Sequence, residues 1–224
     1  MKKARQFVWV GLALLLLIAT FTAYAVLTDF SPGLLRHIQS TWGDQAVVRL
    51  QGWHNLEQLA EANRPNSKLQ LQYDQLQFAN SFWNNISYFR DLKHWQAEDY
   101  WATPLEMISS NGGDCEDYSI AKYFSLKNLG VTPGSLRITY VRALELNESH
   151  MVLAYYRTPD ADPLILDNLK DTIQHASERH DLEPVYSFND DDLWAEGSPN
   201  FKGKSSQIRL WRELLDKMEF ERRM

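Results

Sequence analysis

Apolar and polar positions along this chain change period near its middle. From Ser40 to Asn63, Trp42, Ala46, Leu50, Trp53, Leu56 and Ala60 recur three or four residues apart, which predicts a helix with one apolar face. Arg64-Pro65-Asn66 should end it. Lys68 to Ile86 repeats the theme with Leu69, Tyr73, Leu76, Trp83 and Ile86, and its intervening glutamines read as a solvated face. Thr103-Pro104-Leu105-Glu106 reads as an N-cap followed by Pro at the first helical position, opening a short helix that stops at Asn111-Gly112-Gly113. Asp114 then caps another helix, with Tyr118, Ala121, Phe124 and Leu129 as its apolar face, Gly130 closing it and Pro133 beyond.

After that the period falls to two. Leu136 to Val141 alternates like a strand, and Met151 to Tyr156 is an apolar, β-prone run. Thr158 to Pro163 is a turn cluster, with Leu164 to Leu166 as the next strand. Ser187 to Asn200 reads as acidic and irregular, with Asp190-Asp191-Asp192 as a solvated loop. Ile208, Trp211, Leu215 and Met218 suggest a closing amphipathic helix. Helices come first and strands second, so the expected class is α+β, a helical N-terminal half packed on an antiparallel sheet.

The first 25 residues follow a different logic. Lys2, Lys3 and Arg5 are basic, Phe7 to Phe21 is almost wholly apolar, and Ala23-Tyr24-Ala25 has the small-x-small pattern of a cleavage site. Residues 1–25 therefore read as a secretory signal peptide. The apolar run to Leu27 also has the length of an uncleaved inner-membrane anchor. Either way the body, residues 26–224, is expected outside the cytoplasm, in the periplasm. The net charge of -6 falls to about -9 once the leader's three charges are set aside. So acidic a body is poorly suited to phosphate backbones, and nucleic acid is not an expected partner.

Cys115 is the single cysteine, so no intramolecular disulfide can form. It falls in the first turn of its predicted helix, where unpaired N–H groups and the helix dipole favour a thiolate and could hold an oxyanion. The preceding glycines would let a substrate backbone come close. His150 opens one strand and Asp167 ends the next. A hairpin centred near residue 160 brings the two together, so that the carboxylate could fix the imidazole's tautomer in a Cys-His-Asp set. Hydrolysis and acyl transfer share that attack chemistry, and a non-catalytic module on the same frame is the third reading. Asp114, Glu116 and Asp117 surround the thiol. They either favour the helix N-terminus, by ~0.3–1 kcal/mol each when exposed, or repel a thiolate unless a divalent cation intervenes. All-oxygen donors would select calcium over zinc or copper. Trp95 and Trp101 are either core residues or one wall of a cleft.

Asn111-Gly112-Gly113-Asp114-Cys115-Glu116-Asp117-Tyr118, with Ala121-Lys122-Tyr123 after it, closely resembles the bacterial transglutaminase-like cysteine peptidases, and within them the LapG type. Asp99 to Pro104, Ser149 to Tyr156, Leu166-Asp167-Asn168 and Val185 to Asn189 match as well, so the resemblance runs from about Gly43 to the C-terminal helix. It implies a papain-like fold of the transglutaminase kind. It implies a triad of Cys115, His150 and Asp167, and calcium (Ca2+) held by Asp114, Glu116 and Asp117. The substrate it implies is a large surface adhesin, cut near its N-terminus at paired alanines to disperse biofilm. The partner it implies is an inner-membrane receptor that senses cyclic di-GMP and sequesters the protease.

Overall fold

The computed structural model describes residues 30–62, 68–195 and 202–224. Residues 1–25, expected to be an export signal, the expected Arg64-Pro65-Asn66 stop and residues 196–200 lie outside the described residues. Among the described residues no helix is long and apolar enough to cross a membrane.

Two helices stand where one was expected. The first, α1 (Pro32–Trp42), opens on Ser31, whose hydroxyl accepts the Leu34 N–H at 3.0 Å, and places Pro32 in its first turn. Gly43, at φ 82°, ends it. A run read from Ser40 passes straight through this break. Next come α2 (Asp44–Ala62) and α3 (Lys68–Asn84), then the two-residue strand β1 (Ser87–Tyr88), the single turn α4 (Asp91–His94) and α5 (Pro104–Ser110). Thr103 and Glu106 form the expected capping box on α5, and Asn111 ends it in the left-handed conformation at φ 58°. After β2 (Gly112–Gly113), α6 (Cys115–Asn128) runs through the centre of the molecule, with Gly130 at φ 89° beyond its end.

The remaining chain forms β3 (Leu136–Ala143), β4 (Glu148–Tyr155), β5 (Leu164–Leu166), β6 (Gln174–His175), β7 (Leu182–Phe188), β8 (Asp192–Ala195) and β9 (Lys202–Lys204), and closes with α7 (Arg209–Arg223). The seven strands form one antiparallel sheet in the order β6-β5-β4-β3-β7-β8-β9. Against it, Ile120, Tyr123 and Leu126 of α6 meet Leu136, Ile138, Met151, Leu153, Leu166 and Phe188, and α7 adds Trp211 and Leu214. On the other side of α6, Tyr118 and Ala121 join Leu34, Ile38, Ala46, Leu50, Trp83 and Met107 of the helical half. The α+β expectation holds, with α6 as the shared wall of two cores.

The segment expected to be irregular after Ser187 holds strand instead. Asn189 Oδ1 accepts the N–H groups of both Asp191 and Asp192 at 3.0 Å, folding the acidic run into a tight β7–β8 turn. Asp190 reaches Lys127 at 2.5 Å. The buried face of α7 is Trp211 and Leu214, while Leu215 is 37% exposed.

A polar clamp fixes α7 to the loop before α5. Lys217 Nζ donates to Trp101 O at 2.7 Å and to Glu106 Oε2 at 2.8 Å, and stands 3.7 Å from the Tyr100 ring centroid. Thr103 Oγ1 donates to Glu221 Oε1 at 2.6 Å. Burial, with Glu106 nearby, pushes the Glu221 carboxyl up from 4.5 to about 7. Between those values the folded chain holds a proton that the unfolded chain has released, so this group's contribution to stability declines as pH rises through that window. Thermal melts from pH 5 to 8 should therefore show a shallower loss of Tm for Glu221→Gln than for the wild type. Parallel curves would remove Glu221 from the pH response.

Candidate active site

A short parallel ladder sets the position of Cys115. Ser87 pairs with Gly112 and Tyr88 with Gly113, and the Phe89 N–H donates to Gly113 O at 2.9 Å. A Cβ on Gly112 would meet the Phe89 ring at 2.6 Å, and one on Gly113 would meet Asp117 Oδ2 at 2.6 Å. The glycines are buried and serve this close packing, not the approach of a substrate backbone as the sequence suggested. Asp114 is the N-cap of α6 and Cys115 its first residue. The Asp117 carboxylate turns back to accept N–H groups from Asp114 at 3.2 Å and from Ala102 at 2.7 Å. It is fully buried.

The β4–β5 hairpin supplies the other two expected groups. Leu153 lies opposite Leu166, which centres the hairpin between residues 159 and 160. His150 then falls on β4 and Asp167 just past β5. His150 Nε2 meets Asp167 Oδ1 at 2.7 Å, and both side chains are buried. The next residue on β4, Met151, belongs to the core against which Cys115 packs, and its backbone N–H lies toward the sulfur. Cys115 and His150 line one cavity of ≈ 670 Å³. Burial alone would raise the Asp167 carboxyl. The hydrogen bond from His150, its charge, the Leu169 N–H and Arg179 outweigh burial and hold it at about 2. An ionised Asp167 only accepts, so Nε2 carries the ring proton and Nδ1 is the basic position.

Acid surrounds the thiol. Cys115 donates to Glu116 Oε2 at 3.0 Å. Burial pushes the thiol well above its ordinary value, and Glu116 and Asp114 push it further. The helix N-terminus does not by itself make a thiolate here. Burial also lifts Asp114 to about 8, with Glu116 adding to it, and lifts Asp91 to about 7. Asp117 and Glu116 are raised as well, again chiefly by burial.

Asp91 Oδ1 and Asp114 Oδ1 are buried with no hydrogen-bond partner. The acids fall into overlapping groups whose oxygens lie within 4.8 Å of one another: Asp91, Asp114 and Asp117; Asp91, Asp99 and Glu116; and Asp114 and Glu116 with Cys115. Orphaned carboxylate oxygens in an anionic pocket fit a hard cation. Asp91 and Asp99 thus stand beside the expected trio as acids that could hold a metal. Nothing near the cysteine motif announces them, because α4 and the loop after it carry them in from a remote stretch of sequence. Asp117, with both oxygens already accepting backbone N–H groups, is first of all the brace of the α6 N-terminus.

Trp101 takes both of its expected roles. It is 6% exposed, stacks on Phe188 at 5.7 Å, and lines the cavity. Trp95 packs between His94 and Tyr100. Tyr88, Tyr140 and Tyr186 complete the aromatic wall, and an Arg90–Glu148 ion pair at 2.9 Å spans the rim.

Residues 55–191 match the family model of the bacterial transglutaminase-like cysteine proteinases, BTLCP. Three solved structures of LapG from Legionella pneumophila are each 41% identical to the chain and cover 83% of it. The EGTA-treated form is matched over 96% of its length with a TM-score of 0.72. A second LapG structure is matched over 96% with 0.70, and the calcium-bound form over 97% with 0.67. No curated protein matches the chain.

Proposed function

Since this chain belongs to the bacterial transglutaminase-like cysteine proteinases, we propose that it cuts peptide bonds through Cys115, His150 and Asp167. The observation that carries this is the buried 2.7 Å His150–Asp167 bond, with the strand that bears His150 also contacting the Cys115 sulfur. His150 Nδ1 takes the thiol proton as the sulfur attacks the scissile carbonyl. The oxyanion that forms is held by N–H groups at the start of α6. As the C–N bond breaks, His150 returns the proton to the leaving amine, leaving a thioester on Cys115. Water, deprotonated by His150, then adds to the thioester; as the C–S bond breaks, His150 returns that proton to the sulfur, which regenerates the Cys115 thiol and releases the acid product. Asp167 keeps the imidazole in the required tautomer throughout.

Asp91, Asp99, Asp114, Glu116 and Asp117 would hold calcium, the ion present in one of the LapG relatives. Bound there, it would supply the positive charge that this pocket lacks, lowering the cost of a thiolate beside the acids. The substrate we propose is the N-terminal region of a large surface adhesin, processed in the periplasm so that the cell leaves a biofilm. An inner-membrane receptor responsive to cyclic di-GMP would withhold the enzyme. Purified protein incubated with adhesin N-terminal fragments should give one discrete cut in calcium and none in chelator. Cross-linked or amine-loaded products would assign an acyltransferase instead.

Asp167→Asn should lower turnover by roughly 10²–10⁴-fold, because an amide in that place no longer sets the imidazole's proton. An unchanged rate would pass the orienting role to another group, Asn168 being the nearest in sequence.

A further inference from the structure

We propose that Arg179 is a positioning residue of the active site, clamping Asp167 through the carboxylate oxygen that His150 does not use. The proposal rests on the Cys115–His150–Asp167 reading. Asp167 Oδ1 accepts from His150 Nε2 at 2.7 Å and from the Leu169 N–H at 3.0 Å, while Oδ2 accepts from Arg179 Nη2 at 2.6 Å. With donors on both oxygens, the carboxylate cannot turn about its Cβ–Cγ bond without breaking one of them. The Arg179 and Asp167 side chains are 1% and 0% exposed. A carboxylate that deep would protonate without a partner charge, and a protonated Asp167 could donate where His150 needs an acceptor.

Arg179 is itself fixed. Its Nε donates to Asp181 Oδ1 and its Nη2 to Asp181 Oδ2, both at 2.9 Å, and Lys170 approaches Asp181 at 3.2 Å. Lys122 of α6 lies buried within reach of the Asp167 and Asp171 charges, but burial lowers its amine to about 7, and it has no fork to aim the carboxylate. A buried ion pair is poor as a device for stability alone. This one is aligned with the histidine's acceptor, which is where alignment matters. No motif in the sequence singles out Arg179, which lies beyond β6.

The test is a double-mutant cycle read by steady-state kinetics on an adhesin fragment, with near-UV circular dichroism as the folding check. Arg179→Gln should lower kcat by roughly 10–100-fold and leave KM within about twofold. Arg179→Lys, which keeps the charge but not the fork, should recover only part of that loss. Added to Asp167→Asn, Arg179→Gln should cost nothing more, because its effect runs through the carboxylate. If Arg179→Gln does not fold, Asp181→Asn, which loosens the arginine, takes its place in the cycle with the same sign. An equal loss in both backgrounds, a loss confined to KM, or a Lys variant no better than Gln would overturn the proposal. Full activity of Asp167→Asn would overturn the triad itself, and that failure is distinguishable because it appears in the single variant.

Discussion

Cys115→Ala is expected to abolish proteolysis, lowering turnover by roughly 10⁴-fold or more, with the fold intact. The side chain touches Glu116 and sits at the edge of the core, so its truncation leaves both cores packed. Cys115→Ser should be about as inactive. An alcohol ionises far above a thiol, and in this acid-lined pocket His150 would have to remove that proton against Asp114 and Glu116. Mass spectrometry of a substrate digest reads the loss, and unchanged near-UV circular dichroism shows that the fold is kept. Normal cleavage by either variant would end the nucleophile assignment.

The second large effect concerns the metal. Chelation should reduce wild-type activity by about 10²-fold or more, and added calcium should restore it. Without a cation, Asp114 and Glu116 crowd the thiol, and two buried carboxylate oxygens lack partners. Such a pocket both disfavours the thiolate and loosens the loop that must hold it within a fraction of an ångström of its target. Asp114→Ala and Glu116→Ala separate these two roles. If the cation only offsets charge, each variant becomes less calcium-dependent and stays active. If it also positions the nucleophile, each is inactive at every calcium level, which is the expected result. Asp91→Ala, remote in sequence, should behave alike. Calcium should also raise the Tm, since at a hundred times Kd a ligand bound only by the folded state adds about 2.7 kcal/mol. Full wild-type activity in excess chelator, with no metal by elemental analysis, would remove calcium from the account.

Much of this was legible because the punctuation is local. Ser, Thr or Asp caps, Pro in the first turn and Asn or Gly stops act within one turn, so α5 and α6 are found nearly residue by residue. The β4–β5 hairpin was readable because its turn cluster sits between two clear strands, which set His150 near Asp167. What escaped depends on distant contacts. β7 carries Pro184 and exposes much of its length, so its sequence does not alternate, yet β3 and β8 hold it in the sheet. Asp91, Asp99 and Arg179 acquire their roles only when α4, the loop after it and the segment after β6 fold against the site. The thiol went the same way: a helix N-terminus predicts a lowered value, and burial among acids reverses it.

Rapid acid quench of wild-type enzyme mixed with an adhesin fragment in calcium, followed by intact-mass and peptide mapping, tests the central claim most directly. As Cys115 is the single thiol in the chain, an acyl adduct has one place to form. The account predicts a transient adduct on the peptide that carries Cys115, adding the mass of the N-terminal product of the cut less one water, and lost to hydroxylamine. Product that accumulates with no adduct at any quench time, and that forms equally well with Cys115→Ala, would contradict it.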